Sequence, residues 1–192
     1  TRKTSTKKEF GLCTPLWQFA TDLPQGCRKM FYLHLLNTST NYVYIMTPYL
    51  ILDDELVRAM TFAARRGVDV RIIMPGIPDK QYAFDIATTY FKALLDAGVR
   101  IFRYTPGFVH AKVYVSDGQQ AVVGTINTDY RSLYQNFEDG VYLYKNLEVL
   151  NIEQDFEKTQ ALSEEVTLES LSKMPMAHRL GGYLFSLIGP LM

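Results

Sequence analysis

A chain of 192 residues with 47% hydrophobic content can bury one core of ordinary size and little more. Its 20 basic and 20 acidic side chains cancel to a formal charge of zero, so the molecule lacks the broad positive field of a general nucleic-acid binder, which counts against a nuclease. No stretch reaches the roughly 20 apolar residues of a membrane span; the longest candidate is the C-terminal YLFSLIGPLM.

Residues 1–27 carry Gly11, Pro15, Pro24 and Gly26 among apolar residues without a sustained period, and they read as an irregular linker with one short strand around Leu16–Phe19. The basic opening TRKTSTKK has no apolar run behind it and so is no secretory signal; a chain that opens on threonine is expected to be cut from something longer. Cys13 and Cys27 have neither a second pair nor metal-ligand spacing, which fits a reduced intracellular setting. RKMFYLHLLNT, from Arg28 to Thr38, has the spacing of an amphipathic helix and leads into YVYIMTPY, a β-branched and aromatic strand. Asp53 and Asp54 are placed to cap the helix DELVRAMTFAARR, which has acidic residues in its first turn, Arg65 and Arg66 in its last and Gly67 just beyond. VDVRIIMPG then reads as a strand, Lys80 to Ala97 as a helix ended by Gly98, and VRIFRY as a strand. This alternation predicts parallel βαβ units in a layered α/β domain.

After Gly107 three strands follow in quick succession: HAKVYVS, then QAVVGT across the turn SDGQQ, then GVYLYK. A helix from Leu147 to Gln160 is expected to cover one face, so the domain is placed at residues 28–162. Residues 163–192 are set apart as an amphipathic tail, to lie either in a membrane interface or against another part of the protein.

Side chains alternate along a strand, so His110 and Lys112 point the same way. Gly124, Thr125 and Asn127 fall at the end of the neighbouring strand, where a small residue lets an anion approach and a hydroxyl and an amide can donate. A single histidine on a strand is more often a core residue. Imidazole, ammonium, hydroxyl and carboxamide together describe an oxyanion site, with phosphate as the natural guest. No carboxylate cluster or further histidine points to metal ligation, so neither a metal nor another cofactor is expected. PGIPDK is a loop at the end of a strand, where ligands sit in α/β sheets, and marks Asp79 and Lys80 as substrate contacts. His34 reads as a helix residue turned partly inward, and Tyr104, Phe108, Tyr130 and Tyr134 mostly as core.

The string His110-x-Lys112-x4-Asp117, followed by Gly124-Thr125-x-Asn127, closely resembles the HKD signature of the phospholipase D superfamily. The flanks, among them YVYIMTPYLILDDELVRAM, AGVRIFRYTPGFVHAK and VGTINTDYRSLYQNFE, look like the C-terminal half of bacterial cardiolipin synthases, over roughly residues 42–192. The resemblance implies a phospholipase D-like α/β domain, its mixed and mostly parallel sheet flanked by helices on both faces. It also implies a phosphodiester opened by one histidine, which becomes phosphorylated, while a second histidine protonates the leaving alkoxide. Such an enzyme needs two facing motifs, and this sequence has one.

Carried onto this chain, His110 is the general acid and then base, and Lys112 and Asn127 hold the phosphoryl oxygens. Glu138 stands where members of the superfamily place a carboxylate behind the histidine. Asp117, counted with the motif, precedes Gly118 and is expected to brace that turn or a nearby loop rather than touch phosphate. Thr125 either donates to phosphate or closes its strand. The resemblance makes the chain the C-terminal catalytic half of a cardiolipin synthase, a transferase of phospholipid biosynthesis that joins two phosphatidylglycerol molecules and releases glycerol. Its expected partners are phosphatidylglycerol, the membrane surface, and the missing N-terminal half or a second copy, with no nucleic acid. Its expected place is the bacterial cell membrane, with the catalytic domain cytoplasmic and this piece by itself soluble and inactive. Two alternatives stay open: a one-motif phosphodiesterase or nuclease active as a homodimer, and an inactive lipid-binding half-domain.

Overall fold

The computed structural model describes residues 12–15 and 27–186. The strand expected around Leu16–Phe19 lies outside the described residues; β1 is described at Leu12–Pro15. Helix α1 (Cys27–Thr38) leads into β2 (Tyr42–Met46). Helix α2 (Asp54–Arg65) starts where the sequence marks it, with the Asp53 carboxylate accepting from Leu56 N at 2.8 Å. It ends on Gly67, whose φ of 96° is a conformation that glycine adopts without steric cost. Strand β3 (Asp69–Pro75), helix α3 (Gln81–Asp96) and strand β4 (Arg100–Tyr104) complete two right-sized crossover units, and β3 pairs parallel with both β2 and β4.

From there the chain changes topology. Strands β5 (Val113–Ser116), β6 (Gln120–Gly124) and β7 (Gly140–Tyr144) run antiparallel to one another, and β5 lies antiparallel against β2. Between β5 and β6 the chain reverses over Asp117 and Gly118, both at positive φ, a local geometry that turns a strand straight back on itself. Helix α4 (Tyr130–Tyr134), absent from the sequence reading, lies between β6 and β7, and α5 (Glu148–Ala161) follows β7. The sheet is eight strands in the order β1-β7-β6-β5-β2-β3-β4-β8, with β8 at Ser163–Val166. It is mixed, as expected, but five of its seven pairings are antiparallel and two are parallel, which corrects the expectation of a mostly parallel sheet. The two parallel pairings are those whose strands are joined through α2 and α3, crossovers that return a strand in the same direction.

Helices cover both faces, and alternation along the strands sorts the core between them. Val43 and Ile45 of β2 and Val70 and Ile72 of β3 pack with α1, α2 and α3, where Leu36, Met60 and Phe91 are fully buried. Tyr44 and Met46 of β2 and Ile73 of β3 point the other way, onto Val149 and Phe156 of α5, with the Tyr44 and Phe156 rings stacked 4.7 Å apart.

The segment from 163, set apart in the sequence as a tail, is joined to this domain as far as it is described. β8 pairs with β4, and Glu165 receives two hydrogen bonds from Arg100 at 2.8 and 2.9 Å. Thr167 and Ser170 form a reciprocal capping box at the N-terminal end of α6 (Leu168–Ser172). Helix α7 (Met176–Ser186) lies on α3 so closely that a Cβ on Gly182 would sit 2.2 Å from the carbonyl oxygen of Asp85. His178 Nδ1 lies 2.9 Å from Asp85 Oδ1 at the same contact.

The two adjacent glycines make a discriminating test. Gly182→Ala should cost about 1–2 kcal/mol net, because the clash outweighs the roughly 1 kcal/mol by which alanine is the better helix former. Gly181→Ala, whose nearest neighbour is 3.8 Å away, should be neutral or slightly stabilising. Thermal melts and amide exchange over 176–186 read both; equal effects would disprove the close packing.

Candidate active site

Because β5 runs antiparallel to β2, with Val113 opposite Met46, residues just before Val113 lie beyond the carboxyl end of β2. The carboxyl ends of β3 and β6 are at the same edge, so the loops that carry His110, Lys80 and Asn127 meet at one end of the sheet. That is where ligands gather in open α/β sheets.

His110 and Lys112 precede β5 rather than forming its first residues, although the ladder continues through Gly124 N to Lys112 O at 3.3 Å. The His110 side chain is exposed, and its ring stacks on Phe108 with centroids 5.5 Å apart. Lys112 is buried, with Nζ donating to the His110 carbonyl at 2.6 Å. Burial pushes its ammonium below the usual lysine range, and the carboxylates of Glu138 and Asp129 pull the other way. An ammonium has three donors, and one of them is used here.

Thr125 and Glu138 are held to each other. Thr125 Oγ1 donates to Glu138 Oε2 at 2.5 Å and accepts from Asp139 N at 2.8 Å, while Glu138 Oε1 accepts from Asn136 Nδ2 at 3.1 Å. The Glu138 carboxylate, expected on the imidazole of His110, is therefore engaged by Thr125 and Asn136. The Thr125 hydroxyl closes the β6–β7 junction rather than facing an anion. Gly124 has a backbone reason of its own: a Cβ there would lie 2.2 Å from the Asp139 carbonyl and 2.5 Å from Gly140 Cα. Its smallness serves the approach of β6 to β7, which corrects the expectation that it opens the strand to an anion.

Asn127 is supported by residues that the sequence reading did not single out. Its Nδ2 donates to Ser132 Oγ at 3.1 Å, and its Oδ1 is buried without a protein partner. Ser132 is fully buried; its backbone N–H is capped by Asp129 Oδ1 at 2.7 Å, and its carbonyl accepts from Arg28 Nη1 at 2.6 Å. Next to Arg28, Lys29 Nζ donates to the Tyr134 hydroxyl at 2.6 Å, to Asp53 Oδ2 at 3.0 Å and to Glu55. Those partners overcome the effect of burial and raise the Lys29 ammonium above its ordinary value. The start of α1 thus clamps α4, and α4 holds Asn127. The only local signal for this was Asp129 ahead of Tyr130, a helix cap; partners a hundred residues apart leave none.

Asp117, grouped with the catalytic residues by its place in the motif, lies at the far end of β5, beyond Ser116. Its carboxylate accepts from Thr40 N (2.7 Å), Thr40 Oγ1 (3.1 Å), Asn41 N (3.0 Å) and Tyr42 N (2.9 Å). It ties the β5–β6 turn to the entry of β2 and is no part of the cluster around His110. Asp79 accepts from the Tyr49 hydroxyl at 2.6 Å, and Lys80 Nζ stands 5.3 Å from the centre of the Tyr49 ring. His34 is exposed on α1, rather than turned inward as expected. Among the described residues, no group of three or more His, Cys, Asp and Glu side chains is placed to hold a metal ion.

A family model described as "Cardiolipin synthase, PLD-like domain" matches residues 32–160. The chain is 54% identical over 161 residues to an uncharacterised protein of Streptococcus mutans, covering 84% of this chain and 35% of that protein. It is 39% identical over 164 residues to a cardiolipin synthase of Clostridium perfringens, covering 85% of this chain and 34% of the relative. The chain thus spans about a third of the length of these relatives. Among solved structures, Nuc, a phospholipase D family member from Salmonella typhimurium, superposes with a TM-score of 0.67 at 16% identity, covering 81% of this chain and 97% of Nuc. The phosphatidylserine synthase of Haemophilus influenzae superposes with a TM-score of 0.66 at 17% identity, covering 94% of this chain and 48% of that one.

The Asp117 brace has a pH signature. Burial would raise its carboxyl, but the donors at Tyr42, Thr40 and Asn41 outweigh it and hold it below the ordinary 3.8. A depressed folded value means stabilisation that is complete above the unfolded value and is lost as pH falls through the folded one. Asp117→Ala should therefore lower the unfolding free energy by about 1–3 kcal/mol near neutral pH. In urea melts the gap should hold down to about pH 4 and narrow below it; a gap independent of pH would refute the charged brace.

Proposed function

The chain belongs to the cardiolipin synthase PLD-like domain family, and on that premise we propose that it is the C-terminal catalytic half of a phosphatidyltransferase that joins two phosphatidylglycerol molecules. The observation that carries this reading is an exposed imidazole, His110, next to a buried ammonium with donors to spare, Lys112, at the sheet end where Asn127 also lies.

In the proposed reaction, a histidine of the complementary half, or of a second copy, attacks phosphorus of the first phosphatidylglycerol. A P–N bond forms as the P–O bond to glycerol breaks. His110, as imidazolium, gives its proton to the departing glycerol oxygen. His110, now neutral, then takes the proton of a glycerol hydroxyl on the second phosphatidylglycerol as that oxygen attacks the phosphohistidine, forming the new P–O bond and freeing the first imidazole. Both steps need an imidazole that exchanges protons near neutral pH and is open to substrate.

Lys112 stabilises the charge that grows on the phosphoryl oxygens, and its placement in a buried setting strengthens that interaction. Asn127 contributes by its amide. Rotation about the Cβ–Cγ bond lets Ser132 Oγ–H donate to Oδ1 and turns Nδ2 toward phosphate, so the buried oxygen gains a partner in the same motion. Thr125 and Asn136 fix the Glu138 carboxylate near Lys112, where it contributes electrostatically. A lipid substrate is supported by Phe108, 39% exposed beside His110, and Phe137, 73% exposed beside Glu138, which offer apolar surface at the rim. No described helix is long and apolar enough to cross a membrane; in the proposed arrangement this part of the enzyme acts at the membrane surface, on the cytoplasmic side.

The test is cardiolipin formation and glycerol release from phosphatidylglycerol vesicles by the complete enzyme. His110→Ala should lose at least about a thousandfold, and Lys112→Met and Asn127→Ala about a hundredfold each, a few kcal/mol of barrier. Retained activity in His110→Ala refutes the assignment. Cleavage of nucleic acid by this chain as a dimer, without cardiolipin formation by the complete enzyme, would favour the phosphodiesterase.

A further inference from the structure

Transfer between two phospholipids sets a requirement that hydrolysis does not. The acceptor brings a phosphodiester of its own, intact and negatively charged, within one glycerol of the reacting phosphorus. Lys112 and Asn127 serve the phosphate that reacts, so the second one needs its own cations.

The same end of the sheet supplies them. The loop after β3 and the start of α4 enclose a pocket lined by Tyr49, Lys80, Tyr82, Asp129 and Arg131, among others. Among the described residues neither Lys80 nor Arg131 is in an ion pair. Lys80 rests over the Tyr49 ring, and Arg131 uses Nε on Asn136 Oδ1 at 3.0 Å, its two terminal nitrogens making no hydrogen bond among the described residues. The two carboxylates at the pocket already have donors. Asp79 is held by the Tyr49 hydroxyl, and Asp129 is buried with Oδ1 on Ser132 N. Asp129 is also two residues from Asn127, so one wall of the pocket adjoins the phosphate site.

We propose that this pocket is a second phosphate subsite, in which Lys80 and Arg131 hold the intact phosphodiester of the acceptor phospholipid while its glycerol hydroxyl reaches toward His110. The assignment rests on the transferase reading and sharpens the expectation of substrate contacts in the PGIPDK loop: Lys80 is a contact, whereas Asp79 orients Tyr49. A flexible ammonium and a forked guanidinium from two different elements suit a phosphodiester better than either does alone.

The ligand is glycerophosphoglycerol, the deacylated headgroup, titrated into the chain with amide and side-chain NMR shifts as the readout. Inorganic phosphate and glycerol serve as separate arms. Saturable shifts at Tyr49–Ile51, 80–83 and Arg131 are expected, weakened at least tenfold in the Lys80→Ala/Arg131→Ala double variant and retained in Lys80→Arg. Both side chains are on the surface, so the variants should fold. Identical shifts with glycerol, or unaltered binding by the double variant, overturn the subsite; binding of inorganic phosphate as tight as that of the headgroup overturns its assignment to the acceptor. In the complete enzyme, the double variant should raise the KM for phosphatidylglycerol in cardiolipin formation at least tenfold, with a smaller change in kcat; an unchanged KM overturns the proposal. If the unsubstituted enzyme forms no cardiolipin, the transferase reading fails, and the titration still decides whether the pocket binds a phosphodiester.

Discussion

At the centre of the sheet β2 meets β5 antiparallel, Val43 opposite Ser116 and Met46 opposite Val113, and this seam joins a parallel half to an antiparallel one. Its two ends have different work. At one end the Asp117 carboxylate gathers backbone donors from residues 40–42 and fixes where β5 stops. At the other, the chain leading into β5 sets His110 and Lys112 above the carboxyl edge of β2, against the loop that carries Asn127. A slip of one residue at the seam would turn every β5 side chain to the opposite face. The aspartate of the motif thus braces the register of the strand that follows His110 and Lys112, from the far end of the sheet.

Arg28, Lys29 and Lys112 are buried cations, and they are compensated differently. Arg28 donates to the neutral carbonyl of Ser132, whereas Lys29 has two carboxylates and a phenol. The Lys29 pairs balance the cost of taking charge out of water and leave nothing for a ligand. Lys112 differs from Lys29: its one direct partner is a neutral carbonyl, and the carboxylates of Glu138 and Asp129 act on it without an ion-pair contact. A buried ammonium with unspent donors is costly to maintain by packing alone, and in the proposed reaction a phosphoryl oxygen completes it. Lys80 and Arg131 are the exposed counterpart of that argument, cations without carboxylates on the open side of the same cluster.

The support behind Asn127 also explains why the N-terminal helix matters to a site more than seventy residues further on. Arg28 and Lys29 are adjacent on α1 and reach two points of α4, a helix too short to hold itself by its own hydrogen bonds. Tertiary partners therefore fix the piece of chain on which Ser132, and through it the carboxamide, depends.

What the sequence determined by itself was local. The capped ends of α2 and the turn at Asp117–Gly118 rest on signals within a few residues, and each is where those signals place it, whereas the strand read from His110 begins only at Val113. Only the tertiary structure decided which strands lie next to one another, that β8 and α7 join the domain, and that Gly124 is small for the sake of Gly140. It also decided the partners of Asp117, Glu138 and Asn127. Propensity, capping and turn geometry act over one or two turns of chain, whereas the partner of a buried polar group is chosen by sheet order and packing, which bring together residues such as Arg28 and Ser132 that no local pattern relates.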